Sequence, residues 1–348
     1  MKLKKQIHAL IMIFSAITLS GCDLGLLIQE TQETPVLESD SDQNIKIYFT
    51  NPSTNQNELE SELIRDIEEA EFHIDVAMYN LSLENIANAL IQAHQNGIRV
   101  RIVTDSNALD HQQFKRLSAS GIPIVGDQRE RSMHNKFLII DDHEVWTGSL
   151  NLTWTGMYED HNHMINIRSS KLAENYISEF EEMFIEGFFG PGGPANIPHP
   201  HISLDNIVVE TYFSPENHPG VQIERLIMEA EESIHFMAFS FTADNLSEAL
   251  VSQHQQGIHI QGIMDQQQAA SNTGGEYQNF LDAGLDVNLD KNPGQMHHKV
   301  MVIDGWIVIL GSYNFSRSAE EFNDENLLIL FSSEIAEKYL EEFSRIPQ

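Results

Sequence analysis

The sequence is short of cysteine and of basic residues. Its single cysteine, Cys22, cannot form an intramolecular disulfide, so a disulfide-stabilised scaffold and a cysteine-ligated metal site are both excluded. Lysine and arginine number 20 against 52 aspartates and glutamates, which gives a formal net charge of −32. An acidic chain repels polyanions at long range, and this counts against tight, nonspecific nucleic-acid binding.

The N-terminus has the pattern of a secretion signal. Three lysines lie in residues 1–5, a mostly apolar run follows over residues 7–19, and the run ends in Leu19-Ser20-Gly21-Cys22. These last four residues resemble the lipobox of bacterial lipoproteins, which implies cleavage after residue 21 and lipidation of Cys22. The alternative is an ordinary signal peptide with an incidental cysteine. We expect a lipid anchor in the cell envelope, on the extracytoplasmic side of a bacterial membrane, with inner and outer membrane left open.

An internal duplication organises the rest of the chain. The segment HNKFLIID at His134–Asp141 recurs as HHKVMVID at His297–Asp304, and GSLN (148–151) recurs as GSYN (311–314), in both halves 14 residues after the histidine. We therefore predict a signal peptide (1–21), an acidic flexible tether (22–44), repeat 1 (45–188), a Gly/Pro-rich linker (189–204) and repeat 2 (205–348).

Each half alternates strand and helix patterns, which predicts an α/β fold with two mainly parallel sheets flanked by helices. Strands are expected at 46–49, 73–78 and 100–104, and helices at 58–70, 83–96 and 244–255. The apolar runs 137–140 and 300–303 read as buried strands that carry the motifs. Side chains alternate along a strand, so His134 and Lys136 should share one face, as should His297 and Lys299.

Two histidines and two lysines around one phosphate suffice for phosphodiester chemistry. Lys136 and Lys299 would neutralise phosphate oxygens, and Asn151 and Asn314 would donate to the same oxygens. One histidine attacks phosphorus while the other protonates the leaving oxygen and later activates water. This scheme needs no metal and no cofactor.

These motifs resemble the phospholipase D superfamily, in which two copies of His-x-Lys-x-x-x-x-Asp form one active site. The resemblance covers about residues 45–343. It implies a duplicated fold, a phosphohistidine intermediate, and a monomer that suffices because both motifs lie in one chain.

The resemblance also implies that an acidic residue after the second block, here Glu325, orients a catalytic histidine. Ungapped alignment of the halves places Asn162 opposite Glu325, so we expect Glu325 to serve the second histidine and Asn162 the first. On that basis His134 is the nucleophile and His297 the acid and base. We expect Ser149 and Ser312 to support the site by hydrogen bonds. Asp141 and Asp304 complete the catalytic signature, although a turn-forming role is favoured for both.

The phosphodiester could belong to a phospholipid or to a nucleic acid. The membrane anchor and the acidic surface favour phospholipid head groups. An extracytoplasmic nuclease is the alternative, supported if the basic residues of the first half line the groove. A noncatalytic lipoprotein scaffold is a third possibility, disfavoured by two intact motifs. The basic residues in question are Arg99, Arg101, Lys115, Arg116, Arg129, Arg131 and Lys136.

Overall fold

The computed structural model describes residues 44–52 and 58–348. The predicted signal peptide, Cys22 and all of the predicted tether except Asn44 lie outside the described residues. Within the described ranges, no helix is long and apolar enough to cross a membrane.

The first half forms a seven-stranded sheet in the order β1-β7-β6-β5-β2-β3-β4. Its elements are β1 (Ile45–Phe49), α1 (Glu58–Glu69), β2 (His73–Met78), α2 (Glu84–Gln95), β3 (Arg99–Thr104), α3 (Gln112–Ala119), β4 (Ile124–Gly126), β5 (Lys136–Ile140), β6 (Glu144–Gly148), α4 (Trp154–Tyr158), β7 (His163–Arg168) and α5 (Ser170–Glu181).

The second half repeats this arrangement in an eight-stranded sheet, in the order β12-β11-β10-β13-β14-β15-β9-β8. Its elements are β8 (His201–Leu204), β9 (Ile207–Ser214), α6 (Pro219–Met228), β10 (Ser233–Ala238), α7 (Asp244–Gln255), β11 (His259–Met264), α8 (Gln266–Ser271), α9 (Tyr277–Ala283), β12 (Asp286–Leu289), β13 (Lys299–Ile303), β14 (Ile307–Gly311), α10 (Arg317–Glu321), β15 (Glu325–Phe331) and α11 (Ser333–Arg345).

The duplicated α/β architecture agrees with the sequence prediction, but the expectation of mainly parallel sheets was wrong. Only β2-β3-β4 and β10-β11-β12 pair in parallel, and the other pairings are antiparallel. Each motif strand leads into a tight turn, at Asp141–Asp142 and at Asp304–Gly305, where every φ is positive, between 50° and 65°. Such turns join neighbouring antiparallel strands, so β5-β6 and β13-β14 are hairpins.

The predicted linker contains part of the second sheet. β8 lies inside residues 189–204 and pairs with β9 in an antiparallel register from His201–Glu210 to Leu204–Ile207. Apolar alternation is too short in this four-residue strand for the sequence to reveal it.

A shared hydrophobic core joins the two halves. Helices α5 and α11 contribute Tyr176 and Tyr339, and the two motif strands contribute Phe137 and Val300, all in one buried cluster. Each sheet has a further core on its other face. Because protein interiors are close-packed and leave little room for movement, this shared core fixes the positions of the two motif strands relative to each other.

Candidate active site

The two motifs meet where backbone segments of the two halves pair with each other. The amide of His134 donates to the carbonyl of Asp324 at 2.9 Å, and the amide of His297 donates to the carbonyl of His161 at 2.9 Å. Each motif histidine is thus held against the segment that leads into the last strand of the opposite half. The duplication therefore produces one composite site with approximate twofold symmetry.

Glu325 orients His134. Its Oε2 atom lies 2.6 Å from His134 Nδ1 and accepts a hydrogen bond from Ser312 Oγ at 2.7 Å. Because an ionised carboxylate only accepts hydrogen bonds, His134 carries its proton on Nδ1 and leaves the Nε2 lone pair free. The carboxylate is fully buried, whereas the His134 side chain retains 13% exposure.

Asn162 plays the corresponding part for His297. Its Nδ2 donates to the carbonyl of Gly156 at 3.1 Å, so its Oδ1 is the atom that faces the histidine. That oxygen lies 2.9 Å from His297 Nδ1 and accepts a hydrogen bond from Ser149 at 2.8 Å. His297 therefore also donates from Nδ1, and its Nε2 is available to a substrate.

The pairing of histidines with their partners is the reverse of the one expected from sequence. Glu325 belongs to the second half but orients the first histidine, and Asn162 of the first half orients the second. Alignment correctly identified the two residues as equivalents. It could not reveal that each crosses the pseudo-twofold axis, because the packing of the halves brings opposite elements together.

The glycines of the GSLN and GSYN blocks allow two strands to approach closely. Gly148 has φ +156°, and a Cβ at this position would lie 2.3 Å from the carbonyl oxygen of His163. Gly311 has φ +147°, and its Cβ would lie 2.2 Å from the carbonyl oxygen of Asn326. Only glycine fits, and this approach places the following serine beside the residue that orients each histidine.

The two motif lysines are buried and equivalent. Lys136 Nζ donates to the His134 carbonyl at 2.8 Å, and Lys299 Nζ donates to the His297 carbonyl at 2.7 Å. Each ammonium also lies over an aromatic ring, Tyr79 at 5.2 Å and Phe239 at 4.8 Å from the ring centres. We did not predict the two aromatic residues as site residues, although their spacing of 160 (239 − 79) equals that of Ile74 and Ile234 on the neighbouring strands β2 and β10.

The site disfavours positive charge in the absence of an anion. Burial lowers the pKa of His134 to about 4, with Glu325 acting in the opposite direction, and burial lowers the pKa of Lys136 to about 7. The pKa values of His297 and Lys299 are lowered well below their usual values, first by burial and then by neighbouring cations. A bound phosphate would supply the missing negative charge and favour the protonated forms of Lys136, Lys299 and His297.

Asn151 and Asn314 each present a buried Oδ1 atom for which the described residues provide no hydrogen-bond partner. Both follow the serine of their block by two positions and so enter the site from equivalent places. An amide oxygen accepts hydrogen bonds, so each of these two atoms is completed by a donor, such as a hydroxyl group or a water molecule.

Asp141 and Asp304 lie away from the histidine and lysine group and bind backbone amides, as the structural role favoured for them from sequence would have it. Asp141 accepts hydrogen bonds from the amides of Glu71, Phe72 and His73, at 2.7 to 2.9 Å. Asp304 makes the same three bonds to Glu231, Glu232 and Ser233. Five residues of strand separate each aspartate from its lysine, about 16 Å at the usual rise. They anchor the loops that precede β2 and β10.

The remaining histidines near the motifs are packed in the interior. His298 faces away from the substrate side, because side chains alternate along a strand, and contacts His163. His161 is buried, and its carbonyl accepts from His297. Within the described ranges, no group of three or more histidine, cysteine, aspartate or glutamate side chains has a metal-binding arrangement.

Most basic residues proposed to line a groove are instead engaged with acidic groups. Arg101 binds Asp75 and Glu181 at 2.6 to 2.7 Å and is 10% exposed. The other ion pairs are Arg99 with Asp75, Lys115 with Asp110, Arg116 with Glu84, and Arg129 with Asp324. A continuous free basic track for a nucleic-acid strand does not emerge from these residues.

Comparison with known proteins identifies the same duplication. The family described as "Cardiolipin synthase, PLD-like domain" matches twice, at residues 63–184 and 223–346. A mitochondrial cardiolipin hydrolase of Mus musculus is 32% identical over 158 residues, which are 45% of this chain and 64% of the mouse protein. The chain thus covers less than two thirds of that relative. A phospholipase D of Rickettsia conorii is 34% identical over 149 residues, 42% of this chain and 72% of its own length.

A solved structure matches nearly the whole chain. The phosphatidylserine synthase of Haemophilus influenzae Rd KW20 superimposes with a TM-score of 0.68, covering 86% of this chain and 84% of that one. Sequence identity in this comparison is 14%, so the match supports the duplicated fold.

Proposed function

Because the chain belongs to the phospholipase D family of phosphodiesterases, we propose that it hydrolyses or transfers phospholipid head groups through a phosphohistidine. The observation that carries this proposal is the pair of histidines whose Nδ1 atoms are both engaged, by Glu325 and by Asn162. Two Nε2 atoms are then free to act on one phosphodiester from the two halves of the site.

In the first step, His134 Nε2 attacks phosphorus and the bond to the leaving oxygen breaks. The leaving oxygen takes a proton from Nε2 of protonated His297. In the second step, water attacks phosphorus and gives a proton to His297, and His134 leaves as the neutral imidazole. An alcohol in place of water gives transfer rather than hydrolysis. Apart from the substrate and the water or alcohol, these steps involve only side chains of this protein.

Glu325 favours His134 as the nucleophile. Bond formation between Nε2 and phosphorus places a positive charge on the imidazole ring, and a carboxylate at 2.6 Å from Nδ1 stabilises that charge. Asn162 offers His297 only a neutral oxygen, so its proton is held less tightly and is given up more readily. The sequence led to the same assignment of His134 as nucleophile, but from the opposite pairing of the two histidines with Glu325 and Asn162.

Two matched pairs would hold the phosphate. Lys136 and Lys299 supply positive charge as they regain their protons beside the anion, and the Nδ2 groups of Asn151 and Asn314 would donate hydrogen bonds to its oxygens. This arrangement recognises the phosphodiester group itself. The substituents of the phosphodiester would contact the rim of the site.

An exposed aromatic side chain at the rim supports a lipid substrate. Trp154 is 61% exposed and stacks on Tyr158, with ring centres 4.4 Å apart. It begins α4, whose Gly156 carbonyl accepts from Asn162, the partner of His297. Tryptophan favours the boundary between water and lipid head groups, so this position suits an enzyme that works at a membrane surface.

Lipidation of Cys22 would place this rim beside its substrate. We propose that the chain is a lipoprotein of the cell envelope, held by Cys22 on the extracytoplasmic side of a bacterial membrane and active as a monomer. The acidic surface and the paired arginines count against nucleic acid as the substrate. The names of the mouse and Rickettsia relatives, a cardiolipin hydrolase and a phospholipase D, support a lipid substrate as well.

A direct test compares substrates under one condition. The purified chain and its His134→Asn variant are incubated in chelator with phospholipid vesicles, single-stranded DNA and duplex DNA. We expect head-group release from vesicles by the wild type and none by the variant. Cleavage of DNA without lipid turnover would establish the nuclease alternative, and inactivity on all three substrates would favour a noncatalytic scaffold.

A further inference from the structure

Behind each catalytic histidine lies a second hydrogen bond between the two halves, made by the next residue of each strand. Asn135 follows His134 and accepts from Asn326 at 2.9 Å, and Asn326 follows Glu325. His298 follows His297 and lies 3.1 Å from His163, Nδ1 to Nδ1, and His163 follows Asn162. Each such bond ties the strand that carries a histidine to the strand that carries its partner.

Each of these two bonds is extended by a second hydrogen bond to a buried glutamate, one on α5 and the other on α11. Asn135 donates to Glu179 of α5 at 3.2 Å, and His298 Nε2 lies 3.1 Å from Glu342 of α11. The three pairs of positions share one spacing of 163 (298 − 135, 326 − 163, 342 − 179). We call Asn326, Asn135 and Glu179 the amide layer, and His163, His298 and Glu342 the histidine layer.

The two layers differ in charge. Burial, reinforced by Asp324 and Glu182, raises the pKa of Glu179 well above its usual value, so ionisation is disfavoured in the amide layer, which contains no histidine. Burial opposes ionisation of Glu342, but hydrogen bonds from His298 and Arg345 outweigh it and lower its pKa. Arg345 makes two bonds of 2.7 Å to this carboxylate. The histidine layer therefore ends in a fixed negative charge.

Hydrogen-bond geometry allows the histidine layer two protonation states. With both rings neutral, His298 must donate from Nε2 to Glu342, so its Nδ1 accepts and His163 is the donor. With one more proton, His298 donates at both nitrogens and His163 shifts its own proton to Nε2. His163 Nε2 has no partner in the described structure, so neither state is locked by a further bond.

We propose that His163 and His298 are positioning residues that set the proton affinity of His297. The histidine layer directly behind His297 holds one exchangeable proton, whereas the amide layer behind His134 holds none. The inference rests on the proposed function, since it assigns a cause to the division of labour between the two histidines. Burial lowers the pKa of His298, but Glu342 opposes that shift, whereas burial lowers the pKa of His163 well below its usual value with no such opposition. An added proton in the layer therefore goes to His298, and its charge opposes a proton on His297. The charged and titratable groups that face this layer are His161, His297, Lys299, Tyr339, Glu342 and Arg345.

Glu342→Gln tests this, and Glu179→Gln at the equivalent position is the matched control. The glutamine at 342 keeps the packing and a hydrogen bond to His298 but removes the charge that attracts the proton. The same change at 179 replaces a carboxyl whose ionisation is already disfavoured by burial. Proton titration of the histidine rings is followed by NMR in the full chain, with the His297 signal identified in a His297→Asn variant. We expect the pKa of His297 to rise by roughly one pH unit in Glu342→Gln and to stay unchanged in Glu179→Gln.

Turnover of bis(p-nitrophenyl) phosphate gives a second measurement. Its leaving group needs no acid, so water attack on the phosphohistidine limits kcat and requires neutral His297. The acid limb of the kcat profile should move to higher pH in Glu342→Gln only. A double variant, His163→Asn with His298→Asn, copies the amide layer and should move the limb in the same direction.

Equal behaviour of the two glutamine variants, in either measurement, would overturn the inference. Absence of any turnover by the wild type would instead count against the proposed function, and the NMR titration would still decide the role of the histidine layer.

Discussion

Replacing Glu325 with glutamine should slow catalysis by about two orders of magnitude without weakening substrate binding. The Glu325 carboxylate lies 2.6 Å from His134 Nδ1, which places the two charge centres about 4 Å apart once the ring becomes cationic. At an effective dielectric constant of about 20, opposite charges at that distance attract by about 4 kcal/mol. Glutamine retains a neutral hydrogen bond worth about 1 kcal/mol, so the transition state loses about 3 kcal/mol. Each 1.4 kcal/mol corresponds to a tenfold change, which gives a decrease of about 100-fold in kcat.

Steady-state turnover of bis(p-nitrophenyl) phosphate measures this effect independently of the natural substrate. KM should change little, because Glu325 is fully buried behind the histidine. The matched comparison is Asn162→Asp, which adds a carboxylate beside His297 and should raise the pKa of that ring instead. A Glu325→Gln variant that retains the wild-type kcat would refute the view that this carboxylate stabilises a cationic His134.

Three further predictions concern the pH profile, the rim and the turns. As pH falls through about 4, kcat/KM should fall because a proton on His134 Nε2 removes the attacking lone pair; circular dichroism would show whether the chain is still folded there. Trp154→Ala should weaken binding to anionic vesicles at least about tenfold in a sedimentation assay and leave bis(p-nitrophenyl) phosphate turnover intact. Trp306→Ala, which alters an exposed residue in the turn at the far end of a motif strand, is the control. Asp141→Ala should cost roughly 1 to 3 kcal/mol in urea unfolding, since three amides lose their acceptor, with kcat unchanged; a large loss of kcat would return Asp141 to the catalytic group.

Much of the fold follows from local sequence patterns. The strand predicted at 73–78 and the helix predicted at 244–255 have the same bounds in the structure, because the apolar pattern marks both and Gly257 marks the end of the helix. The direction of the strands was not predicted correctly. It depends on two tight turns with positive φ at Asp141–Asp142 and Asp304–Gly305; a turn-forming role was favoured for both aspartates, but not that each turn joins two neighbouring antiparallel strands.

The site was predictable as a set of residues but not as a set of contacts. The repeat identified both histidines, both lysines and the Glu325–Asn162 equivalence, and the structure brings all six together. Which histidine meets which partner depends on packing across the pseudo-twofold axis, a long-range property that alignment of the halves does not contain. The histidine layer was missed for a similar reason, since His163 and His298 are 135 positions apart and meet only across the halves.

The central claim is that His134 forms a covalent bond to phosphorus, and mass spectrometry of a trapped intermediate tests it most directly. In His297→Asn, the good leaving group of bis(p-nitrophenyl) phosphate allows the first step, while water attack lacks its base. The account predicts a rapid release of one equivalent of nitrophenol and a stable nitrophenyl-phosphoryl adduct on the peptide that contains His134, absent in His134→Asn. An adduct on any other residue, or none after a full release of nitrophenol, would contradict it.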